Sequence, residues 1–392
     1  MSIADRWLLP DGVKEILPPE ARQIETLRRS LLDLFDGWGY DLVMPPMVEY
    51  LESLLTGTGN DLDLSTFKVT DQLTGRMMGL RADTTPQVAR IDAHSLNHQS
   101  PTRLCYANSV LHTVPSTLQA GRSPLQIGAE LYGHAGVESD LEVINLMLAA
   151  LQVGGVERLT LDLGHVGIYR ALVADARLDA DDEAELFRLL QGKAMTELGE
   201  LLARLPVTAQ QRARLEVLST LSGDRSVLDV ARRRLAGDTR ILAALDELER
   251  IADAVVAEFP AVTLYFDLAE LRGYNYHTGM VFAAYVPGYG QAVAKGGRYD
   301  EIGRVFGRAR PATGFSADLK VIVELSSAPA ASVAGILAPA AADAALRAAI
   351  VELRAAGERV VCALPGAATD AVDMGCNRKL IQAGGNWVVA AV

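Results

Sequence analysis

Apolar positions in residues 20–37, EARQIETLRRSLLDLFDG, recur at helical spacing: Ile24, Leu27, Leu31, Leu34 and Phe35. Gly37 stands where such a helix stops, so the segment is predicted helical. The next run, YDLVMPPMVEY (40–50), loses that period and reads as extended. Pro45 and Pro46 cannot donate to a ladder, which puts the run at a sheet edge or an interface. FKVTD (67–71) and RMMGLR (76–81) flank the turn LTG and predict a hairpin. QVARIDAHSL is predicted helical, with Pro86 in its first turn. Strands are expected at 102–112, 123–134 and 158–166, and a helix at 138–153.

From about 168 to 258 the pattern shifts to Ala, Leu, Arg, Glu and Asp at helical spacing, which predicts a helical insertion. Strand patterns return at 262–268, 279–286 and 291–296. The strands of this body come in hairpins with helices grouped around them. That predicts an α+β fold on an antiparallel sheet rather than a doubly wound one. SSAPAASVA (326–334) reads as a linker between a core of residues 1–325 and a small α/β module of residues 335–392. Within the module the pattern predicts strand GILAP, helix DAALRAAIVELRAAG, strand RVVCALP, a helix around 370–382 and strand NWVVAAV.

The totals narrow the function classes. The chain has 392 residues, 49% hydrophobic and 22% charged, an ordinary globular balance. No apolar run is long enough to span a bilayer, and MSIADRWLLPDGVKEILP lacks a signal peptide's basic start, so no membrane role and a cytoplasmic location are expected. Cys105, Cys362 and Cys376 are too few and scattered for a disulfide framework or a zinc site. A net charge of −12 offers no basic face for nucleic acid. Phosphate-loop, dinucleotide and nucleophile-elbow signatures are absent, and no cofactor is implied. His94 and His98 have metal-ligand spacing, but no carboxylate motif completes the pair, and no metal is expected.

Four segments carry the candidate chemistry: LRADTTPQVAR (80–90), GRSPLQIGAELYG (121–133), LRGYNYHTGMVF (271–282) and KGGRYDEIGRVFG (295–307). Alternate residues of a strand share a face, so Gln126 and Glu130 point into one cleft, and Asp83 and Thr85 share a face likewise. Asp83, Glu130 and Gln126 offer acceptors for an ammonium group and a ring N–H, and Arg272 offers a fork for a carboxylate. Together they describe an amino-acid pocket. The same residues also fit scattered charges on strand edges.

In this order the four segments resemble histidyl-tRNA synthetase. LRADTT is similar to that family's LRPEGT, LRGYNYHTGMVF to its RGLDYY and KGGRYD to its AGGRYD, while GRSPLQIGAELYG resembles the end of its second class II motif. GYDLVMPPMVEY resembles the dimer-forming first motif, with Pro46 as its proline. The likeness spans roughly residues 8–322. It implies a class II synthetase-like sheet with flanking helices. It also places Asp83, Thr85, Gln126, Glu130, Arg272 and Tyr276 on histidine-pocket positions, with Gly296 and Gly297 at the floor. His277 and Asn275 depart from the family's tyrosine and aspartate.

The synthetase's adenylation arginines are missing. VLHTVP (110–115) puts His112 where the second motif has arginine and Val114 where it has glutamate. GFSADLKVIV (314–323) puts Val321 at the third motif's arginine and Asp318 at its glycine, with Lys320 adjacent but on the other helix face. One lost charge donor costs about 10²–10³ in rate. The C-terminal module is no more basic than acidic: Arg347, Arg354, Arg359, Arg378 and Lys379 against Asp343, Glu352, Glu358, Asp370 and Asp373. A tRNA-binding domain needs more. A retained pocket without these groups, together with LDLGHVGIYRAL (161–172) and DLK, resembles the regulatory subunits of heteromeric ATP phosphoribosyltransferase. That resemblance implies a non-catalytic chain, a dimer through the first motif, a short catalytic subunit as partner and L-histidine as feedback effector. Two other readings stay open: a divergent synthetase or other amino-acid ligase using His112 and Lys320, and a scaffold whose pocket is dead.

Overall fold

The computed structural model describes residues 7–56, 60–115, 121–271, 273–274, 276–327, 334–367 and 370–392, the side chains of 60 and 61 aside. The chain divides into two units, Met1–Ala328 and Pro329–Val392.

The first unit opens with α1 (Glu20–Gly37), β1 (Asp41–Leu42), β2 (Val48–Tyr50), α2 (Leu51–Leu54) and α3 (Asn60–Ser65). It continues with β3 (Phe67–Thr70), β4 (Met77–Leu80), α4 (Thr85–Arg90), β5 (Thr102–Ser109), β6 (Leu125–Tyr132), α5 (Val137–Val153) and β7 (Thr160–His165). A helical layer follows: α6 (Val166–Ala176), α7 (Ala180–Gln191), α8 (Met195–Arg204), α9 (Ala209–Leu218), α10 (Ser226–Arg234) and α11 (Thr239–Glu258), with the short strand β8 (Ser222–Gly223) before α10. β9 (Thr263–Asp267), β10 (Met280–Tyr285), β11 (Ala294–Arg298), β12 (Ala312–Asp318) and α12 (Leu319–Leu325) complete the unit.

Nine strands form the main sheet in the order β1-β5-β6-β12-β11-β10-β7-β9-β8. Its middle is antiparallel, as the hairpin pattern predicts. Two pairings differ: β1 with β5 and β7 with β9 are parallel. Each joins strands separated by a long crossover that includes helices, as a parallel pair requires. β1 lies on the edge, where the paired prolines placed it. The hairpin β3–β4 with β2 makes a separate three-stranded sheet.

α1 buries Ile24, Leu31 and Phe35, the stripe its periodicity marks. Phe35 meets Phe315 of β12 edge-on, with ring centroids 6.0 Å apart. By alternation Phe315 faces this helix layer while Gly314 and Ser316 face the other side of the sheet. The second side is where the cavity opens. His165 ends β7 and caps α6: its Nδ1 accepts from Gly167 N at 3.1 Å. Its Nε2 meets Glu247 of α11 at 3.2 Å, which ties the helical layer to the sheet.

The second unit contains β13 (Gly335–Ala338), α13 (Ala344–Ala355), β14 (Val360–Cys362), β15 (Cys376–Ala383) and β16 (Asn386–Ala391). Its sheet runs β14-β13-β15-β16. The expected helix around 370–382 is a correction: Cys376–Ala383 is a strand, paired antiparallel with β16. Cys376, Arg378 and Leu380 are less exposed than the residues between them, a period of two. Gly384 and Gly385, at φ +58° and +87°, make the two-residue turn that matches a hairpin's twist. Among the described residues no helix is long and apolar enough to cross a membrane.

The arginine of KGGRYD locks β11 to the start of α5. Arg298 donates through Nε and Nη2 to Asp140 Oδ2 at 3.0 and 2.9 Å, and to Ser139 Oγ at 2.8 Å. Both members of the ion pair are buried. Removing one partner strands the other's charge. Arg298→Ala is therefore expected to lower the unfolding free energy by about 3–5 kcal/mol, read from urea denaturation. A loss below about 1 kcal/mol contradicts this role.

Candidate functional site

The register of the main sheet lays a row of small residues across its centre. Glu130 of β6 is opposite Gly314 of β12, Gly314 opposite Gly297 of β11, Gly297 opposite Val281 of β10, and Val281 opposite Gly164 of β7. A Cβ on Gly314 would collide with the Glu130 carboxylate, and one on Gly297 would sit 2.9 Å from the His277 ring. These glycines keep a hollow open against the sheet. The cavity measures about 580 Å³.

Glu130 forms its floor, 1% exposed. Thr85 Oγ1 donates to Oε1 at 2.9 Å and Tyr106 OH to the same oxygen at 3.2 Å, while Tyr299 OH donates to Oε2. Burial outweighs these hydroxyls and raises the carboxyl to about 8. Gln126 bridges the rim: Nε2 donates to Asp83 Oδ1 at 2.8 Å, and Oε1 accepts from Thr84 N at 2.9 Å. Asp83 and Thr85 do reach one cleft, although not as strand neighbours. They sit where the chain turns from β4 into α4, and Asp83 Oδ1 accepts from Thr85 N at 3.2 Å.

Asp83, Thr85, Gln126, Glu130, Tyr276, His277, Gly296 and Gly297 all line the cavity. Tyr276 is half exposed at the mouth, and His277 is buried with its ring 4.3 Å from it. Arg272 and Asn275 lie outside the described residues.

The positions of the missing arginines are also visible. His112 and Val321 line the cavity, whereas Val114 is exposed and outside its lining. His112 Nε2–H donates to Ala82 O at 2.9 Å, so the imidazole is spent on backbone. Asp318 caps α12, accepting from Lys320 N and Leu125 N at 3.0 Å each. Burial pushes its carboxyl up. Lys320 turns away and gives its ammonium to Ser123 O. Among the described lining residues, Asp83, Glu130, Asp162, Glu270 and Asp318 face one lysine, Lys295. Even with Glu130 protonated, acids outnumber the one lysine, a balance that favours an ammonium over a triphosphate. His94 and His98 are exposed, and no group of three metal-ligating side chains occurs among the described residues.

Tyr106 and Tyr299 escape notice in the sequence, as do Phe187 and Gln191, which line the cavity from α7. Tyr299 lies inside KGGRYD. Tyr106 shares a face with Gln126 and Glu130 through a pairing opposite Gly128 that no local pattern shows.

Residues 12–322 match the family described as histidyl-tRNA synthetase, and residues 333–390 match the ATP phosphoribosyltransferase subunit HisZ C-terminal domain. An ATP phosphoribosyltransferase regulatory subunit of Thioalkalivibrio sulfidiphilus is 62% identical over 384 residues, 97% of each chain. The chain belongs to the family of ATP phosphoribosyltransferase regulatory subunits. A structure from Bacillus halodurans, described as a regulatory subunit/histidyl-tRNA synthetase, has a TM-score of 0.82 at 29% identity, covering 95% of this chain and 97% of that one. A chain of the ATP phosphoribosyl transferase (HisG:HisZ) complex from Thermotoga maritima has a TM-score of 0.59 at 18% identity, covering 76% and 97%, and shows the fold alone. Membership in the regulatory-subunit family makes the chain a non-catalytic one, and the reading as a divergent synthetase or ligase is not favoured.

Glu130 ties stability to pH. Its folded form holds a proton that the unfolded chain releases above about 4.5, so this group's stabilising effect fades as pH rises toward about 8. Glu130→Gln abolishes that dependence. Urea unfolding between pH 6 and 8 is expected to show the wild type losing ground to the variant by up to about 1.4 kcal/mol per pH unit. Parallel pH curves contradict the assignment.

Proposed function

We propose that the cavity is a receptor for free L-histidine, and that its occupancy restrains a catalytic phosphoribosyltransferase subunit in the first step of histidine biosynthesis. The single observation that carries this reading is the lining. It keeps acceptors for an ammonium and a ring N–H, while the positions that would steady a triphosphate hold His112, Val321 and the cap Asp318. A regulator needs only a differential affinity between two assembly states, of about 1–3 kcal/mol.

The partner is a catalytic subunit of the short form, without a regulatory domain of its own. The relative's description as a regulatory subunit and the matched C-terminal domain of an ATP phosphoribosyltransferase subunit support a catalytic partner. A dimer through the first motif is the second contact. Leu42, Met44 and Met47 are exposed at or next to β1, whose outer edge pairs with no described strand, and a second copy would cover them. The assembly belongs in the cytoplasm, where free histidine and ATP are both present. No nucleic acid or membrane enters this scheme.

Calorimetry on the chain with its catalytic subunit is expected to show L-histidine binding, weakened about 30-fold or more by Glu130→Gln. No binding in either the free chain or the complex defeats the proposal. Robust ATP–pyrophosphate exchange with histidine also defeats it. Met44→Glu is expected to raise the dimer dissociation constant at least tenfold in sedimentation, because the charge would be desolvated in the interface. An unchanged constant places the dimer contact elsewhere.

A further inference from the structure

The described residues of the histidine-motif segment, 273–274 and 276–278, are gripped from outside by the helical insertion. Arg170 of α6 donates through Nη2 to Tyr274 O at 2.9 Å and to His277 O at 2.7 Å. Its guanidinium also lies over the Tyr274 ring, 4.9 Å from the centroid. Tyr274 points into the insertion. Its OH donates to Glu183 of α7 at 2.8 Å, and its ring meets Tyr169 edge-on at 5.1 Å and Phe187 at 5.3 Å. Phe187 and Gln191 then reach the cavity itself. One layer of helices therefore supplies a cavity wall and holds the loop that carries Tyr276 and His277.

Other ties of this layer go to the sheet and bypass the loop. His165 meets Glu247, and Lys193 donates to Asp267 at 3.1 Å. Arg170 is different. It is exposed, yet it commits one nitrogen to two carbonyls of a single loop. An exposed guanidinium gains little by giving up water unless the geometry it fixes matters.

We propose that Arg170 is a positioning residue that couples occupancy of the cavity to the arrangement of α6 and α7, making the helical insertion the part of the chain that reports bound histidine. This rests on the reading of the cavity as a histidine site. A ligand that settles against Tyr276 and His277 fixes the loop backbone, and Arg170 with Tyr274 passes that constraint to the two helices. The coupling must be reciprocal: a constraint on α6–α7 alters histidine affinity by the same factor. Both directions can be measured.

The test is hydrogen exchange on the full chain assembled with its catalytic subunit, with and without L-histidine. Saturating histidine is expected to slow exchange in peptides spanning 166–191 by about fivefold or more. Arg170→Gln should abolish that response while calorimetry still detects histidine binding. Glu183→Gln, which loosens Tyr274 from α7 without touching Arg170, should weaken the response in the same direction and guards against a misfolded first variant. Histidine binding with no change in 166–191 overturns this inference and leaves the histidine site standing. An undiminished response in Arg170→Gln also overturns it. If histidine binds neither the chain nor the complex, the site and the inference fall together.

Discussion

Glu130 sits in the middle of the main sheet with three hydroxyls on its carboxylate and, among the described residues, no bonded cation. A buried carboxylate without a counter-charge is expensive to ionise. The protein meets that cost by letting the group hold its proton and by leaving space beside it, kept clear by Gly314 and Gly297. An ammonium or imidazolium placed beside it would supply the missing charge. The hollow and the hydroxyl ring surround one acid that has no counter-charge among the described residues.

The same constraint separates holding an amino acid from activating it. Activation brings a polyanion beside the amino acid and must steady the charge that moves in the transition state. Here Asp318 is turned into a helix cap, His112 is spent on a backbone carbonyl and Lys320 faces away. The scaffold that positions these side chains is intact. The chain matches the histidyl-tRNA synthetase family over residues 12–322 and yet lacks these charge donors, so fold alone is a poor guide to activity.

Local signals were readable and cross-strand ones were not. α1 announces itself by its stripe, the β3–β4 hairpin by its turn, and the pocket's acids by the segments that carry them. The partners of Glu130 depend on register. Tyr106 reaches it only because β5 pairs with β6 as it does, a fact spread over two segments. The insertion reads as helical and shows no function by itself, since its contact with Tyr274 joins residues about a hundred positions apart. The misread 370–382 segment shows the opposite failure. The glycine pair after Ala383 was a stronger local signal than the helical period imposed on the residues before it.

A wall made from a separate helical layer has a kinetic consequence. An enzyme must discharge its product every cycle, so it cannot let its site stay shut. A receptor relieved of turnover is free of that demand. With Phe187 and Gln191 lining the cavity from α7, the dwell time of any guest would depend on that wall as well as on the floor. Stiffening that layer would lengthen the stay of a bound molecule without altering one contact to it.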